Sequence, residues 1–164
     1  MLELFQKINT FVFDVDGVLT DGTFQVAEDG HLLRTMHIRD GYALQLAVKK
    51  GYNVWVVAGG KCEMVRNRLN KLGVTEVHMG VEDKKEFLQE IAQALNVPLD
   101  QILFMGDDIP DYGAMNICGL PCCPADAVPE IKQVSKYISP VSGGKGCARD
   151  VLEKVLKLNG QWGL

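Results

Sequence analysis

The sequence predicts an α/β fold of three layers, in which a doubly wound, mostly parallel sheet lies between helices. Apolar runs of strand length alternate with stretches of helical period along the 164 residues, as in parallel sheets that are covered on both faces. Hydrophobic residues make up 47% and charged residues 23% of the chain, which is typical of a globular protein. We expect a single domain over residues 1–164.

Five short apolar runs predict the strands of the sheet: Thr10–Phe13, Asn53–Val57, Thr75–His78, Ile102–Met105 and Leu120–Cys123. An aspartate, a glycine or a proline follows each run within two residues, as expected where a strand ends. Two further runs, Thr23–Ala27 and Leu32–His37, flank Glu28-Asp29-Gly30. Because Asp-Gly favours a tight turn, we predict a β-hairpin flap over about residues 21–38.

Helices are predicted between the strands from their capping residues and stop signals. Asp40 can cap a helix that Gly51 ends, and Asp83 can cap a helix that ends near Leu95. The others are predicted over about residues 61–72, from Pro110, over Pro129–Val134 and over Cys147–Leu158. Ser142–Gly146 contains three glycines, so we expect a flexible segment that opens a C-terminal tail over about residues 142–164.

Charge and composition argue against several classes of function. The net charge of −4 argues against nucleic-acid binding, which requires a basic face. No run approaches the roughly 20 apolar residues that span a bilayer, and Met1–Lys7 does not resemble a signal peptide. The five cysteines form no Cys-x-x-Cys unit, so we expect reduced thiols in a cytoplasmic protein rather than a zinc site.

Three of the predicted strands end in polar or glycine-rich turns: Asp14-Val15-Asp16-Gly17, Ala58-Gly59-Gly60 and Gly106-Asp107-Asp108. Ligands of parallel sheets bind in the crevice beyond the carboxyl ends of the strands, so the three turns are expected to share one site. Crowded carboxylates need a cation to neutralise them, and oxygen ligands of this kind suit Mg²⁺. The glycines allow backbone N–H groups to approach a phosphate closely.

Asp14 and Asp16 are two residues apart, which places both side chains on one side of an extended segment. One carboxylate could attack phosphorus, while the other donates a proton to the leaving oxygen and later activates water. Lys84, with Lys85 as the alternative, could offset the charge of the phosphoryl group. Each turn alone is a common loop sequence, but their combination and order favour a functional site.

These segments resemble the motifs of the haloacid dehalogenase superfamily of phosphohydrolases. Phe13–Thr20 resembles its first motif, Lys84 its third and Gly106–Asp111 its fourth. The second motif of that superfamily has a Ser or Thr whose hydroxyl and N–H bind phosphate, and this chain has Ala58 there. We expect the backbone donors of Ala58 and Gly59 to bind phosphate still, and the missing hydroxyl to cost about 1 kcal/mol of transition-state stabilisation.

The resemblance also implies roles for the acids. Asp14 would form a phospho-aspartyl intermediate, and Asp16 would be the general acid and base. Mg²⁺ would be bound by the carboxylate of Asp14, the backbone carbonyl of Asp16 and the carboxylate of Asp107. Asp108 and Asp111 would be acids close to the metal site.

Many superfamily members carry a cap domain over the substrate, and this chain has room only for the hairpin. From about Phe11 to Leu156 it is similar to the capless branch of the 3-deoxy-D-manno-octulosonate 8-phosphate phosphatases. That resemblance implies homotetramers in which a neighbour's hairpin and C-terminal segment help to exclude water. Gly60, Arg39 and Lys145 are candidate contacts for a small phosphorylated sugar acid, although Arg39 could equally be a surface residue.

Three alternatives remain open on the sequence. The related nonulosonate 9-phosphate phosphatases would share this site and differ in the lining of the pocket. A non-catalytic tetrameric binding protein would account for Ala58, although the intact acids of the first and fourth motifs argue against it. A sugar phosphomutase would need the cap domain that this sequence lacks.

Overall fold

A six-stranded sheet lies at the centre of the computed structural model, which describes residues 1–163. The strands are β1 (Thr10–Phe13), β2 (Gln25–Val26), β3 (Leu32–Leu33), β4 (Asn53–Val57), β5 (Glu76–His78), β6 (Ile102–Met105), β7 (Leu120–Cys123) and β8 (Tyr137–Ile138). The sheet has the order β5-β4-β1-β6-β7-β8, and each pairing in it is parallel. The two-residue strand β8 was not predicted from the sequence.

Helices cover both faces of this sheet, so the predicted three-layer α/β fold is confirmed. They are α1 (Leu2–Gln6), α2 (Ile38–Lys49), α3 (Glu63–Lys71), α4 (Lys84–Ala94), α5 (Tyr112–Met115), α6 (Pro129–Val134) and α7 (Cys147–Leu158), with a wider π-helical turn at Val15–Leu19 and 3₁₀ turns at Leu99–Gln101 and Ile109–Asp111. Phe11 and Phe13 of β1 pack in the core that α1, α2, α3 and α7 cover, whereas Val12 packs in the core under α4, α5 and α6. Within residues 1–163, no helix is both long and apolar enough to cross a membrane.

The predicted hairpin is present, but its strands are shorter than predicted. β2 and β3 pair antiparallel over two residues each, and Gly30 in the turn has a φ of +89°, which glycine adopts without strain. Val26 and Leu33 are 71% and 45% exposed. The hairpin therefore stands away from the sheet. A two-stranded hairpin on its own is only marginally stable in water, which accounts for the short strands.

The predicted capping role of Asp40 is wrong for α2 and is replaced by a role at α7. His37 caps α2 instead, because its Nδ1 accepts a hydrogen bond from the N–H of Arg39 at 3.1 Å. Asp40 therefore lies inside the first turn, buried, and its Oδ1 accepts a hydrogen bond from the N–H of Arg149 at 2.8 Å. Since Arg149 is in the first turn of α7, the carboxylate joins the two helices.

Candidate active site

The carboxyl ends of β1, β4 and β6 meet at a cavity of about 270 Å³. Its lining consists of Asp14, Asp16, Gly22, Ala58, Gly59, Gly60, Lys84, Asp107, Asp108 and Pro110. β1 lies between β4 and β6 in the sheet, so the end of β1 is at the middle of the cavity. The structure thus brings together the three turns that the sequence analysis placed in one site.

Asp14 directly follows the buried strand β1 and lines this cavity. Its Oδ1 accepts a hydrogen bond from the N–H of Val15 at 2.7 Å and lies 3.1 Å from Nζ of Lys84. Burial raises the pKa of Asp14 well above its ordinary value, and the nearby Asp111 and Asp107 raise it further against the opposing effect of Lys84. A negative charge on Asp14 is therefore unfavourable unless a further cation lies beside it.

Lys84 and Asp111 form a buried ion pair next to Asp14. Nζ of Lys84 lies 2.7 Å from Oδ1 of Asp111, and both side chains are 2% exposed or less. Oδ2 of Asp111 accepts hydrogen bonds from the N–H groups of Asp107 and Asp108, at 2.9 and 3.3 Å. Burial alone would lower the pKa of Lys84, but Asp111 and Asp14 outweigh it and the pKa is raised, so the ammonium group stays charged. Asp111 thus shapes the turn after β6, a role that the sequence analysis missed.

The acids at the base of the cavity form a set of oxygen ligands. Single oxygen atoms of Asp14, Asp107 and Asp111 lie within 4.8 Å of one another. Oδ1 of Asp107 is buried without a hydrogen-bond partner in the described chain, whereas buried polar atoms normally have one. Burial, together with the charge of Asp111, raises the pKa of Asp107 to about 7. This donor set fits a hard cation such as Mg²⁺, with Asp14 and Asp107 as its side-chain ligands, because both oxygens of Asp111 already accept hydrogen bonds.

Asp16 is held by an arginine that the sequence analysis did not single out. Nε of Arg34 lies 2.8 Å from Oδ1 of Asp16, and Nη2 lies 3.1 Å from Oδ2. Thr20 donates a longer hydrogen bond from its Oγ1 to Oδ1 of Asp16, at 3.2 Å. Arg34 is the one arginine of the predicted hairpin. Nothing else in the sequence indicated that it would contact Asp16.

The β4 turn supplies fewer phosphate donors than predicted. The N–H of Ala58 donates to the carbonyl oxygen of His78 at 2.9 Å, so it continues the pairing with β5 and cannot bind phosphate. The N–H groups of Gly59 and Gly60 donate no hydrogen bond within residues 1–163. Both residues line the cavity. The expectation for Ala58 is therefore wrong, and the free donors begin one residue later.

Arg39 and Lys145 do not line the cavity that contains Asp14. Both instead line a second cavity of about 360 Å³, together with Arg149 and Glu153 of α7. Arg39 is exposed in the first turn of α2, where His37 has started the helix before it. Within one subunit, Arg39 and Lys145 therefore lie outside the cavity of Asp14, and their contacts with a substrate stay a prediction.

The glycine segment before α7 supports the loop that follows β1, so the prediction of a flexible segment is wrong. The N–H of Gly144 donates to the carbonyl oxygen of Val18 at 2.9 Å, and the N–H of Gly143 donates to Oδ1 of Asp126 at 2.9 Å. A Cβ atom on Gly143 would lie 2.0 Å from the carbonyl oxygen of Gly17. The glycines thus permit close backbone contact rather than mobility.

Gly17 itself makes room for the acidic cluster. Its φ is +93°, and a Cβ atom there would lie 1.8 Å from Oδ2 of Asp107. No side chain fits at that distance, so glycine is required for both its backbone conformation and its lack of a side chain. The loop carrying Asp14 and Asp16 can therefore lie directly against the acid at the end of β6.

The fold and this acidic cavity define a class of protein, the haloacid dehalogenase-like hydrolases. Residues 76–149 match the model of that family of hydrolases. The chain is also 31% identical over 162 residues to the 3-deoxy-D-manno-octulosonate 8-phosphate phosphatase KdsC of Yersinia pestis, across 96% of this chain and 87% of that protein.

Solved structures of these phosphatases share the fold. The crystal structure of the Yersinia pestis phosphatase matches with a TM-score of 0.94 at 28% identity, over 98% of this chain and 86% of that one. The Moraxella catarrhalis phosphatase, solved in complex with a magnesium ion, a phosphate ion and a KDO molecule, matches with a TM-score of 0.93 at 29% identity, over 96% and 90%. The chain belongs to the family of 3-deoxy-D-manno-octulosonate 8-phosphate phosphatases.

Proposed function

We propose that the protein is a Mg²⁺-dependent phosphomonoesterase that hydrolyses 3-deoxy-D-manno-octulosonate 8-phosphate to the free sugar acid and phosphate, a step in making a lipopolysaccharide precursor. The observation that carries the proposal is the carboxylate of Asp14, which lines the cavity between Lys84 and Asp107. The names of the relatives support the substrate, and the ligands of the Moraxella catarrhalis structure support the metal.

The reaction would proceed in two displacements at phosphorus. In the first, a carboxylate oxygen of Asp14 attacks phosphorus, the bond from phosphorus to the sugar oxygen breaks, and Asp16 gives its proton to that oxygen. In the second, Asp16 takes a proton from a water molecule whose oxygen attacks phosphorus, which frees Asp14 and phosphate. Mg²⁺, held by Asp14, the backbone carbonyl of Asp16 and Asp107, would neutralise the negative charge of these groups and the phosphate. Asp108, an exposed acid at the rim, would lie close to that ion.

The phosphoryl group would be bound by one side chain and by backbone. Lys84 lies beside Asp14, and its raised pKa keeps it positively charged. The N–H groups of Gly59 and Gly60 are free to donate to the phosphoryl oxygens. Donors that are already in place stabilise charge at the moment it develops.

We also propose a homotetramer, in which neighbouring subunits help to close a site that has no cap domain. Exposed apolar side chains on and beside the hairpin support this, since Phe24, Val26 and Ile38 are 46%, 71% and 78% exposed. Arg39 and Lys145 lie in a separate surface cavity, from which they would contact substrate only in a neighbour's site. A cytoplasmic location is supported by the free thiols of all five cysteines.

Phosphate release from a panel of esters tests the proposed function. The panel contains the eight-carbon sugar acid 8-phosphate, the nine-carbon acid 9-phosphate and a simple hexose phosphate, each with Mg²⁺ and with EDTA. We expect turnover that is highest for the eight-carbon acid, needs Mg²⁺ and disappears in Asp14→Asn. No turnover on any ester would support a binding protein instead.

The nine-carbon acid is kept in the panel because the related nonulosonate 9-phosphate phosphatases would share this site and differ in the lining of the pocket. A clear preference for the nine-carbon ester would replace the proposed substrate and leave the proposed chemistry unchanged.

A further inference from the structure

The ion pair between Arg34 and Asp16 joins the hairpin to the floor of the cavity. Two hydrogen bonds run in parallel, from Nε to Oδ1 at 2.8 Å and from Nη2 to Oδ2 at 3.1 Å. The two side chains differ in exposure, since that of Arg34 is 7% exposed and that of Asp16 is 38% exposed. The guanidinium group therefore lies behind the carboxylate, while the carboxylate itself remains open to the cavity.

Arg34 is fixed in this position by the elements around it. Its guanidinium carbon lies 5.3 Å from the centre of the Phe24 ring on the other side of the hairpin, a distance at which a cation and an aromatic face attract. On the opposite side, a Cβ atom on Gly60 would lie 3.7 Å from Nη2 of Arg34. A long side chain at position 60 would compete for this space, so Gly60 leaves room for the arginine.

The carboxylate of Asp16 has few other restraints. Its Oδ1 accepts one longer hydrogen bond from Thr20, and its Oδ2 has no partner other than Arg34 in the part of the chain that the structure describes. A planar guanidinium fork fixes both the position and the plane of a carboxylate. Without Arg34, the side chain of Asp16 could rotate between its staggered rotamers.

We propose that Arg34 is a positioning residue, which holds the Asp16 carboxylate in the orientation required for proton transfer to the leaving oxygen. This inference rests on the proposed function, in which Asp16 gives its proton to the sugar oxygen as the bond from phosphorus to that oxygen breaks. How much the reaction needs this proton depends on the leaving group. An alkoxide needs the proton because it is a strong base, whereas a nitrophenolate leaves readily without one.

Two esters and five variants test this role. The value of kcat/KM is measured with Mg²⁺ for 3-deoxy-D-manno-octulosonate 8-phosphate and for p-nitrophenyl phosphate, because kcat/KM reports on the step in which the leaving group departs. For Arg34→Met we expect a loss of about tenfold or more on the sugar ester and a change within about twofold on the aryl ester. Arg34→Lys should give an intermediate loss, since lysine can donate to Asp16 but cannot form the fork.

The matched control is Arg66→Met on α3. Arg66 also forms an arginine–carboxylate pair, with Nε 3.2 Å from Oε2 of Glu63, and it does not line the cavity. This variant should leave the ratio of the two kcat/KM values unchanged. In the background of Asp16→Asn, the further change Arg34→Met should also leave the ratio unchanged, because there is no acid left to position.

The outcomes separate this inference from the proposed function. If the unmodified protein hydrolyses neither ester, the proposed function fails. If it hydrolyses both and Arg34→Met lowers both values equally, or raises only KM, Arg34 supports the fold or binds substrate and the positioning role is wrong. The positioning role would also be contradicted if adding Arg34→Met to the Asp16→Asn variant lowered its activity on the sugar ester further.

Discussion

The ammonium group of Lys84 lies 3.1 Å from Oδ1 of Asp14 and is shared with Asp111, whose Oδ1 lies 2.7 Å away. One positive charge therefore faces two buried carboxylates, and Asp107 adds a third acid within 4.8 Å. Such a cluster is costly to bury, because the charges repel one another more than a single lysine can offset. The acidic cluster thus lowers the stability of the fold, and it supplies the groups that would bind a metal ion and a phosphate.

Replacing Asp14 by asparagine should separate activity from stability. We expect phosphate release to fall by more than about a thousandfold, because the amide cannot act as the nucleophile. The melting temperature without metal should rise by a few degrees, since burial and neighbouring acids disfavour the charge of Asp14 and each kcal/mol shifts Tm by about 2–4 °C in a domain of this size. Calorimetry and a phosphate assay measure both effects, and a lower Tm would contradict the argument.

The effect of Mg²⁺ on stability should depend on pH. The pKa of Asp107 is about 7 in the folded protein and lower in the unfolded chain, so the folded state holds more protons between these values. Stability without metal should therefore fall as the pH rises from about 4 to about 7 and level off above that. Because Mg²⁺ competes with these protons, its binding should raise Tm more at about pH 8 than at about pH 5.

Differential scanning fluorimetry at both pH values measures this difference, with NaCl of equal ionic strength as the control. Asp107→Asn should lose most of the increase in Tm that Mg²⁺ causes. An equal increase at both pH values, or one that Asp107→Asn retains, would show that Mg²⁺ binds elsewhere.

Removing the charge of Lys84 should destabilise the fold strongly. Lys84→Met leaves Asp14 and Asp111 buried without their counter-charge, and breaking such a pair costs about 3–5 kcal/mol. Lys85→Met is the matched control, because Lys85 is exposed and next in sequence, and it should change the free energy of unfolding by less than about 0.5 kcal/mol. Urea unfolding measures both, and equal effects would exclude Lys84 as the central cation.

The parts of the site that could be predicted from the sequence are those that depend on short local segments of the chain. An apolar strand followed by an acid identified Asp14 and Asp107 and the edge of the sheet on which they lie, and Asp83 does cap α4 by accepting a hydrogen bond from the N–H of Glu86 at 3.0 Å. The residues that were missed depend on contacts between distant segments. Arg34 contacts Asp16 only after the hairpin has folded back, and Gly143 meets Gly17 across more than a hundred residues. No local pattern encodes such contacts.

Adding one methyl group to the segment that supports the loop after β1 should disturb the site. Gly143→Ala places a Cβ atom 2.0 Å from the carbonyl oxygen of Gly17, so the backbone must shift, at a cost of about 1–3 kcal/mol or more. We expect a lower Tm and, because Gly17 lies between Asp16 and Asp107, a lower kcat. Gly163→Ala is the control, since nothing lies within 4 Å of its Cβ position. If both variants behave alike, the segment does not support the loop.

A hydroxyl group restored at position 58 should increase activity. Ala58 lines the cavity, and its N–H is already bonded to His78, so only a side chain could add a phosphate donor at this position. Ala58→Thr supplies that donor, and one neutral hydrogen bond of about 1 kcal/mol corresponds to an increase in kcat/KM of about fivefold. Ala58→Val has the same shape without the hydroxyl and should not increase it. Both variants enlarge the side chain at this buried position equally, so the ratio of their kcat/KM values isolates the effect of the hydroxyl group. A ratio of one would mean that phosphate binding here relies on Gly59, Gly60 and Lys84 alone.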